Sequence, residues 1–214
     1  MKKDVCVIGL GTFGFELAVQ LTRMGHHVLA IDLDEKIVNS IKDDVTVAVQ
    51  ADITDLDVIK KLEIHRFDRI VFGMSSALEA IVLGITHLKN LGAKNITGKA
   101  NTQIQKEVLL KIGADEVILP EIASARRLAE QITYPNVLDK FSIGDDLVVM
   151  EIQVPKNFVG KTPVEMDLRK KYGINIILLK RNNQARFLSD PHTRFLEGDV
   201  IVLAGKEQAL KKWL

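Results

Sequence analysis

From Val5 to Thr133 the chain alternates short apolar runs with stretches whose apolar residues recur at helical spacing. Val5-Cys6-Val7-Ile8 reads as a strand that leads at once into a helix over 12–24, with Phe13, Leu17, Leu21 and Met24 on one face. Gly25 stops that helix and His27 to Asp32 forms the next strand. Asp34 caps a helix carrying Ile37, Val38 and Ile41, and Thr46 to Gln50 follows as a third strand. The same reading gives a helix over 55–62, a strand over 69–72, a helix over 77–91 and a strand over 94–99. A helix from Thr102 to before Gly113, a strand over 116–119 and a helix carrying Ile122, Ala125, Leu128, Ala129 and Ile132 complete the series. Six such alternations predict a Rossmann-like, doubly wound parallel sheet of the α/β class. The helix over 77–91 is apolar on nearly every side, which implies burial against another subunit or under a second domain.

The pattern changes at Thr133-Tyr134-Pro135-Asn136, where proline disfavours helix at the residue before it. Beyond it come a strand over 147–154, a helix opened by Thr162-Pro163 and ended by Tyr172-Gly173, and a hairpin about Asn182-Asn183. A strand over 200–204 and a closing amphipathic helix over 206–214 finish the chain. This predicts a nucleotide-binding domain over 1–134, a linker over 135–144 and a small α+β domain over 145–214.

Composition narrows the functional classes. A formal net charge of +1 leaves no basic surplus for a protein that lives on nucleic-acid phosphates, so no nucleic-acid partner is expected. Cys6 is the only cysteine, which excludes an internal disulfide and fits a core position. No apolar run approaches the ~20 residues of a membrane span, and Met1-Lys2-Lys3-Asp4 enters a strand directly, so a membrane connection is expected to run through a partner.

The candidate chemistry sits at the first strand–helix turn. Gly9-Leu10-Gly11-Thr12-Phe13-Gly14 has the spacing G-x-G-x-x-G between an apolar run and a helix, with Asp32 ending the second strand. Gly9 permits the turn, Gly11 lets backbone approach a pyrophosphate and Gly14 lets the helix sit close to the sheet. Asp32 is placed to take ribose hydroxyls. The alternative is a tight turn in an empty doubly wound domain. Asp52 and Ile53 leave the third strand, Ser75 the fourth and Lys99 the fifth, all at the carboxyl edge where open α/β sheets bind ligands. None of the five histidines has metal-ligand spacing, and no nucleophile elbow or G-x-x-x-x-G-K-[ST] loop occurs. A nucleotide site without reaction machinery points to a sensor and away from an enzyme. An NAD-dependent oxidoreductase is the alternative, and a DNA-binding redox repressor lacks its basic face.

The G-L-G-x-F-G fingerprint, Asp32, Ala51-Asp52-Ile53-Thr54, Lys99-Ala100, Ile112-Gly113-Ala114-Asp115, Leu119-Pro120-Glu121 and a small module containing Leu168 to Ile174 occur in one order. Together they resemble the cytosolic regulatory subunits of Ktr/Trk-type bacterial potassium transporters: a regulator-of-potassium-conductance domain followed by a TrkA C-terminal domain. The resemblance covers essentially the whole chain. It implies a homodimer assembling into an octameric ring, cytoplasmic and peripheral to the membrane through a potassium channel subunit. Nucleotide binding would change the shape of the ring, with ATP favouring opening and ADP the inactive form. By position, Gly9 to Gly14 would wrap the phosphates, Asp32 the ribose and Asp52 the adenine side, with Lys99 approaching the phosphates. Glu121 matches a glutamate that helps hold a divalent cation (Mg or Ca) between paired subunits. Cyclic di-AMP would bind the C-terminal domain near 167–175. Thr12 stands where ATP-responsive members carry arginine, and members lacking that arginine respond to NAD(H), so the ligand is open between ATP/ADP and NAD(H).

Overall fold

The computed structural model describes residues 2–182 and 184–213; Asn183, expected in the hairpin turn, and Leu214, expected to end the last helix, lie outside the described residues, as does Met1. The described chain divides into two units, 1–123 and 124–214.

In the first unit the elements run β1 Asp4–Ile8, α1 Thr12–Arg23, β2 His27–Asp32, α2 Glu35–Ile41, β3 Val47–Gln50, α3 Leu56–Lys61 and β4 Arg69–Phe72. They continue with α4 Leu78–Asn90, β5 Ile96–Lys99, α5 Gln103–Lys111 and β6 Glu116–Ile118. The strands pair in parallel in the order β3-β2-β1-β4-β5-β6, as the sequence predicts for a doubly wound sheet. Successive β1 side chains enter opposite cores: Cys6 and Ile8 pack with Leu29, Ile31, Ile70 and Phe72, while Val5 and Val7 pack with Ala18, Val28, Ala30 and Val71. Burial on both faces explains why these strands read as unbroken apolar runs. Burial also pushes the Cys6 thiol well above its ordinary pKa, so it stays a protonated core group. Strand order reverses between β1 and β4, and the glycine turn opens at that switch point.

Helix α6 Pro120–Thr133 spans the division, and no residue of it is buried. Next come β7 Val137–Ser142, β8 Leu147–Gln153, α7 Pro163–Met166, α8 Leu168–Tyr172, β9 Asn175–Arg181, β10 Gln184–Phe187, β11 Val200–Lys206 and α9 Glu207–Trp213. The second sheet is antiparallel, β10-β9-β11-β8-β7. Its core gathers Val148, Met150, Ile152, Leu179, Phe195, Ile201 and Leu203. The long turn between β10 and β11 is pinned by Asp199, which is 1% exposed: Arg181 donates from Nε at 2.8 Å and from Nη2 at 2.7 Å, and the Leu196 amide donates at 2.8 Å.

Two expectations change. Most of the segment 135–144, expected as a linker, is the edge strand β7, paired with β8 through a register shift between Val137 and Asp139. Pairing to an existing strand supplies the order that the Tyr134-Pro135-Asn136 turn signal hides. The helix expected over 162–172 is two short helices, because Asp167 adopts the left-handed conformation (φ 46) and ends α7. Within the single chain, helix α4 turns Ile81, Gly84, Ile85 and Leu88 to the core and leaves Glu79, Thr86 and Asn90 exposed and Leu83 40% exposed. Larger apolar surface lies open on α5 and α6, where Ile104, Leu128 and Ile132 are exposed by 75%, 57% and 72%.

Candidate functional site

The turn after β1 is built from backbone contacts that only glycine allows. Gly9 has φ 85, and its amide donates to the Ile31 carbonyl at 2.8 Å, stitching the turn to β2. A Cβ on Gly14 would lie 2.0 Å from the Gly9 carbonyl oxygen, so α1 starts in direct contact with the turn. Gly73, just past β4, completes the cluster: its amide donates to Ile8 O at 2.8 Å, and a Cβ there would lie 2.8 Å from Gly14 Cα. Gly11 differs from the other three. It takes extended backbone (φ −61, ψ −179) at the head of α1, and a Cβ on it would meet nothing within 4 Å. Three glycines therefore lock the turn, and the fourth leaves clear space before the first amides of a twelve-residue helix, the place where a phosphate is favoured.

Asp32 is tied into the same turn. Its Oδ2 accepts the Leu10 amide at 2.6 Å and its Oδ1 accepts the Asp34 amide at 2.9 Å. Leu10 itself is buried, so its amide depends on that carboxylate. Each oxygen retains a lone pair for a further donor. Asp32 lines a cleft with Gly9, Asp52, Ile53, Met74 and Ala80, apolar apart from the two carboxylates at its rim. Asp52 closes its own loop by accepting the Thr54 amide at 2.8 Å and the Thr54 hydroxyl at 2.7 Å. Thr12 is exposed at the first turn of α1.

A second group gathers at the ends of β4, β5 and β6. The Lys99 ammonium, 11% exposed, pairs with the Glu121 carboxylate, lies 3.4 Å from Ser75 Oγ and sits 6.0 Å from the centre of the Phe13 ring. The hydrogen bond from Lys99 holds the Glu121 carboxyl below its ordinary range. Of the residues predicted for the site, Gly9, Asp32, Asp52 and Ile53 line the cleft and Phe13, Ser75, Lys99 and Glu121 form the second group, while Leu10, Gly11, Thr12 and Gly14 belong to the turn and the head of α1. Sequence reasoning missed Gly73 and Met74. Gly73 sits at a strand end in the sequence, but its need for glycine arises from packing against Gly14.

The TrkA-N domain model matches residues 5–120 and the TrkA-C domain model matches 147–213. Ktr system potassium uptake protein C of Bacillus subtilis is 36% identical over 206 residues, 96% of this chain and 93% of that one. The chain belongs to the TrkA/Ktr family of regulatory subunits of potassium uptake systems. Ktr system potassium uptake protein A of Bacillus subtilis is 31% identical across 99% of this chain and 96% of that protein. Among solved structures, the GsuK channel aligns over 99% of this chain with a TM-score of 0.69 at 19% identity, which shows the shared fold. A GsuK channel bound to NAD aligns over 98% with a TM-score of 0.64 at 18% identity. The TrkA/Ktr chain spans 38% of the length of each GsuK chain. Among the described residues, no helix is long and apolar enough to cross a membrane.

Proposed function

We propose that this TrkA/Ktr subunit senses an adenine nucleotide at the β1–α1 turn and uses the binding energy to regulate a potassium-conducting membrane partner from the cytoplasmic side. The observation that carries this reading is the glycine arrangement: Gly9, Gly14 and Gly73 packed to contact, with Gly11 facing open space at the helix head. Phosphates lie against the backbone of Gly9 to Gly14, the ribose against Asp32, and the base in the cleft with Asp52 and Ile53. Lys99 and Ser75 reach the phosphate end. Lys99 is paired with Glu121, so a phosphate competes with that carboxylate for the ammonium.

A nucleotide can shift the subunit between two conformations only by binding them unequally. The apolar residues left open on α5 and α6 support assembly with further copies, a dimer built into an octameric ring, as the setting for such a shift. ATP, ADP and NAD(H) are the candidate ligands, and Thr12 offers a triphosphate a hydroxyl and no charge. Glu121 does not make a cation site within one chain. Its carboxylate is paired with Lys99, and among the described residues no three metal-ligating side chains come together. A divalent cation there requires donors from a paired subunit and the nucleotide. Cyclic di-AMP is the ligand family membership implies for 167–175.

Calorimetry on the full chain with ATP, ADP, NAD and NADH tests the reading, with light scattering in parallel. Binding of at least one adenine nucleotide with a change in the assembly's mass or radius is expected. No binding at millimolar nucleotide, or steady turnover of a reduced nicotinamide, sinks it.

A further inference from the structure

The antiparallel sheet of the C-terminal unit is apolar on both faces. On the first, Val148, Met150 and Ile152 of β8, Ile201 and Leu203 of β11 and Leu179 of β9 are buried in one cluster with Met166, Leu168 and Leu210 from α7, α8 and α9. The strand register puts the residues between them on the opposite face. There Phe187 of β10 lies beside Leu178 of β9, and Leu178 beside Val202 of β11. Two positions along β11, Ala204 lies beside Val149 of β8, and Val149 beside Phe141 of β7. None of these six residues is buried, and Phe141 and Phe187 are 58% and 75% exposed. An antiparallel sheet that turns one face to water normally carries polar residues there. An apolar band running from one edge strand to the other marks an interaction surface.

The charges on this face indicate what covers it. Glu151 of β8 lies opposite Val202, and Lys180 of β9 lies opposite Val200, so both share the face with the band. They stand on opposite sides of the central strand β11 and reach each other across it at 3.5 Å. A two-fold axis along β11 carries β9 of one copy over β8 of another, and β10 over β7. Lys180 of each copy then comes to the strand that holds Glu151 of the other. Phe187 of each copy likewise comes to the edge that holds Phe141 of the other. The face is its own complement in charge and in apolar surface, which is what an isologous dimer requires. Twisted sheets stack in this way with strand directions within about 30° and a separation of about 10 Å.

We propose that this sheet face docks on the same face of a second copy, closing a two-sheet sandwich between C-terminal units. The surface is additional to the apolar residues left open on α5 and α6, and the band contains no residue of 167–175. An unlike partner would need no matched charges on the two sides of β11, whereas a self-pairing face must carry both signs itself.

Cross-linking of the full chain provides the test. Ala204→Cys places a thiol beside the axis, within reach of its own copy through a bis-maleimide spanning about 10 Å. Cys6 is buried, and the natural chain treated alike reports any reaction there. The Ala204→Cys chain should run as a cross-linked dimer on a denaturing gel. Adding Phe187→Asp, Lys180→Glu or Glu151→Lys should each raise the protein concentration for half-maximal cross-linking at least about tenfold. An equal mixture of the Lys180→Glu and Glu151→Lys chains should restore the original concentration, because an acidic face then meets a basic one. Repair within one chain cannot produce that recovery, since neither chain carries both substitutions. The measurement needs no nucleotide, so it stands or falls apart from the site at the β1–α1 turn. Three results overturn the proposal: no cross-linked dimer from an Ala204→Cys chain that circular dichroism shows folded, which would assign the band to an unlike partner; undiminished cross-linking in the Phe187→Asp chain; or a mixture no better than its two components.

Discussion

Gly11 and Gly14 stand three residues apart, yet alanine at each should do opposite things, and the contrast tests the phosphate assignment directly. A Cβ on Gly14 would sit 2.0 Å from a backbone oxygen where real contacts stay beyond 3.0 Å, so α1 or the turn must move by the difference, 1.0 Å. Both partners are backbone, so no side chain can yield. Overpacking of this kind costs about 3 kcal/mol or more. For a chain of this size each kcal/mol is worth about 2–4 °C, so Gly14→Ala should lower the melting temperature by about 6–12 °C. At Gly11 the backbone already has an alanine-compatible conformation and the new methyl meets no protein atom within 4 Å. The entropy gained from a stiffer unfolded chain, about 0.4–1 kcal/mol, is offset by alanine's poorer performance at a helix N-cap. Gly11→Ala should therefore melt within about 4 °C of the natural protein, a shift of under about 1 kcal/mol. Its methyl nevertheless fills the space where the phosphate approaches backbone. Losing one charge-assisted contact of about 1.5–3 kcal/mol weakens nucleotide binding about 10- to 150-fold. Thermal melts followed by circular dichroism and titration calorimetry on both variants give the four numbers. A Gly11→Ala protein that binds nucleotide like the natural one refutes the placement of phosphate at this turn, and a Gly14→Ala protein of natural stability refutes the packing argument.

Asp32→Asn keeps an acceptor for one of the Leu10 and Asp34 amides and turns a donor toward the other, costing about 1.5–3 kcal/mol. Because the ribose is common to all adenosine ligands, calorimetry should show mono-, di- and triphosphates weakened alike. Thr12→Arg adds a cation at the helix head, and charge-assisted bonds are about twice as strong as neutral ones. Affinity should rise for triphosphate over diphosphate, and equal gains for both would remove the role given to position 12. Arg181→Ala strips the buried Asp199 carboxylate of two donors. The C-terminal unit should lose about 3–5 kcal/mol, read as faster proteolysis within 188–199. Glu207 is held down to about 2 from an ordinary 4.5 by hydrogen bonds from Lys211 and then Lys140. A depressed carboxylate stabilises the folded state fully above about pH 4.5 and loses that contribution as pH falls toward 2. Melting points measured from pH 5 to pH 2.5 should therefore fall more steeply for the natural protein than for Glu207→Gln.

The parts of this fold legible in the sequence are those whose cause is local or periodic. Parallel strands buried on both faces print as apolar runs. The glycine spacing prints the Gly9–Gly14 contact because both partners lie within one turn. Carboxyl-edge residues such as Ser75 and Lys99 follow from counting strands, whereas the pairing of Lys99 with Glu121 beside Phe13 is visible only in the structure. Gly73 could not be found this way, since its constraint comes from backbone 59 positions earlier pressing against it in space. Strand β7 was hidden for a related reason. Val137-Leu138-Asp139-Lys140-Phe141-Ser142 carries an irregular pattern because the strand is shifted against β8 and its Lys140 is held between Glu130, ten residues earlier, and Glu207, 67 residues later. The break at Asp167 depends on one left-handed residue that composition does not mark. Helix α6 is a different case: its apolar stripe is legible in the spacing of Ile122, Ala125, Leu128, Ala129 and Ile132, but periodicity says which side is apolar and not what covers it. With Leu128 at 57% and Ile132 at 72% exposed, that stripe stays largely uncovered among the described residues, and its spacing alone carries no sign of that.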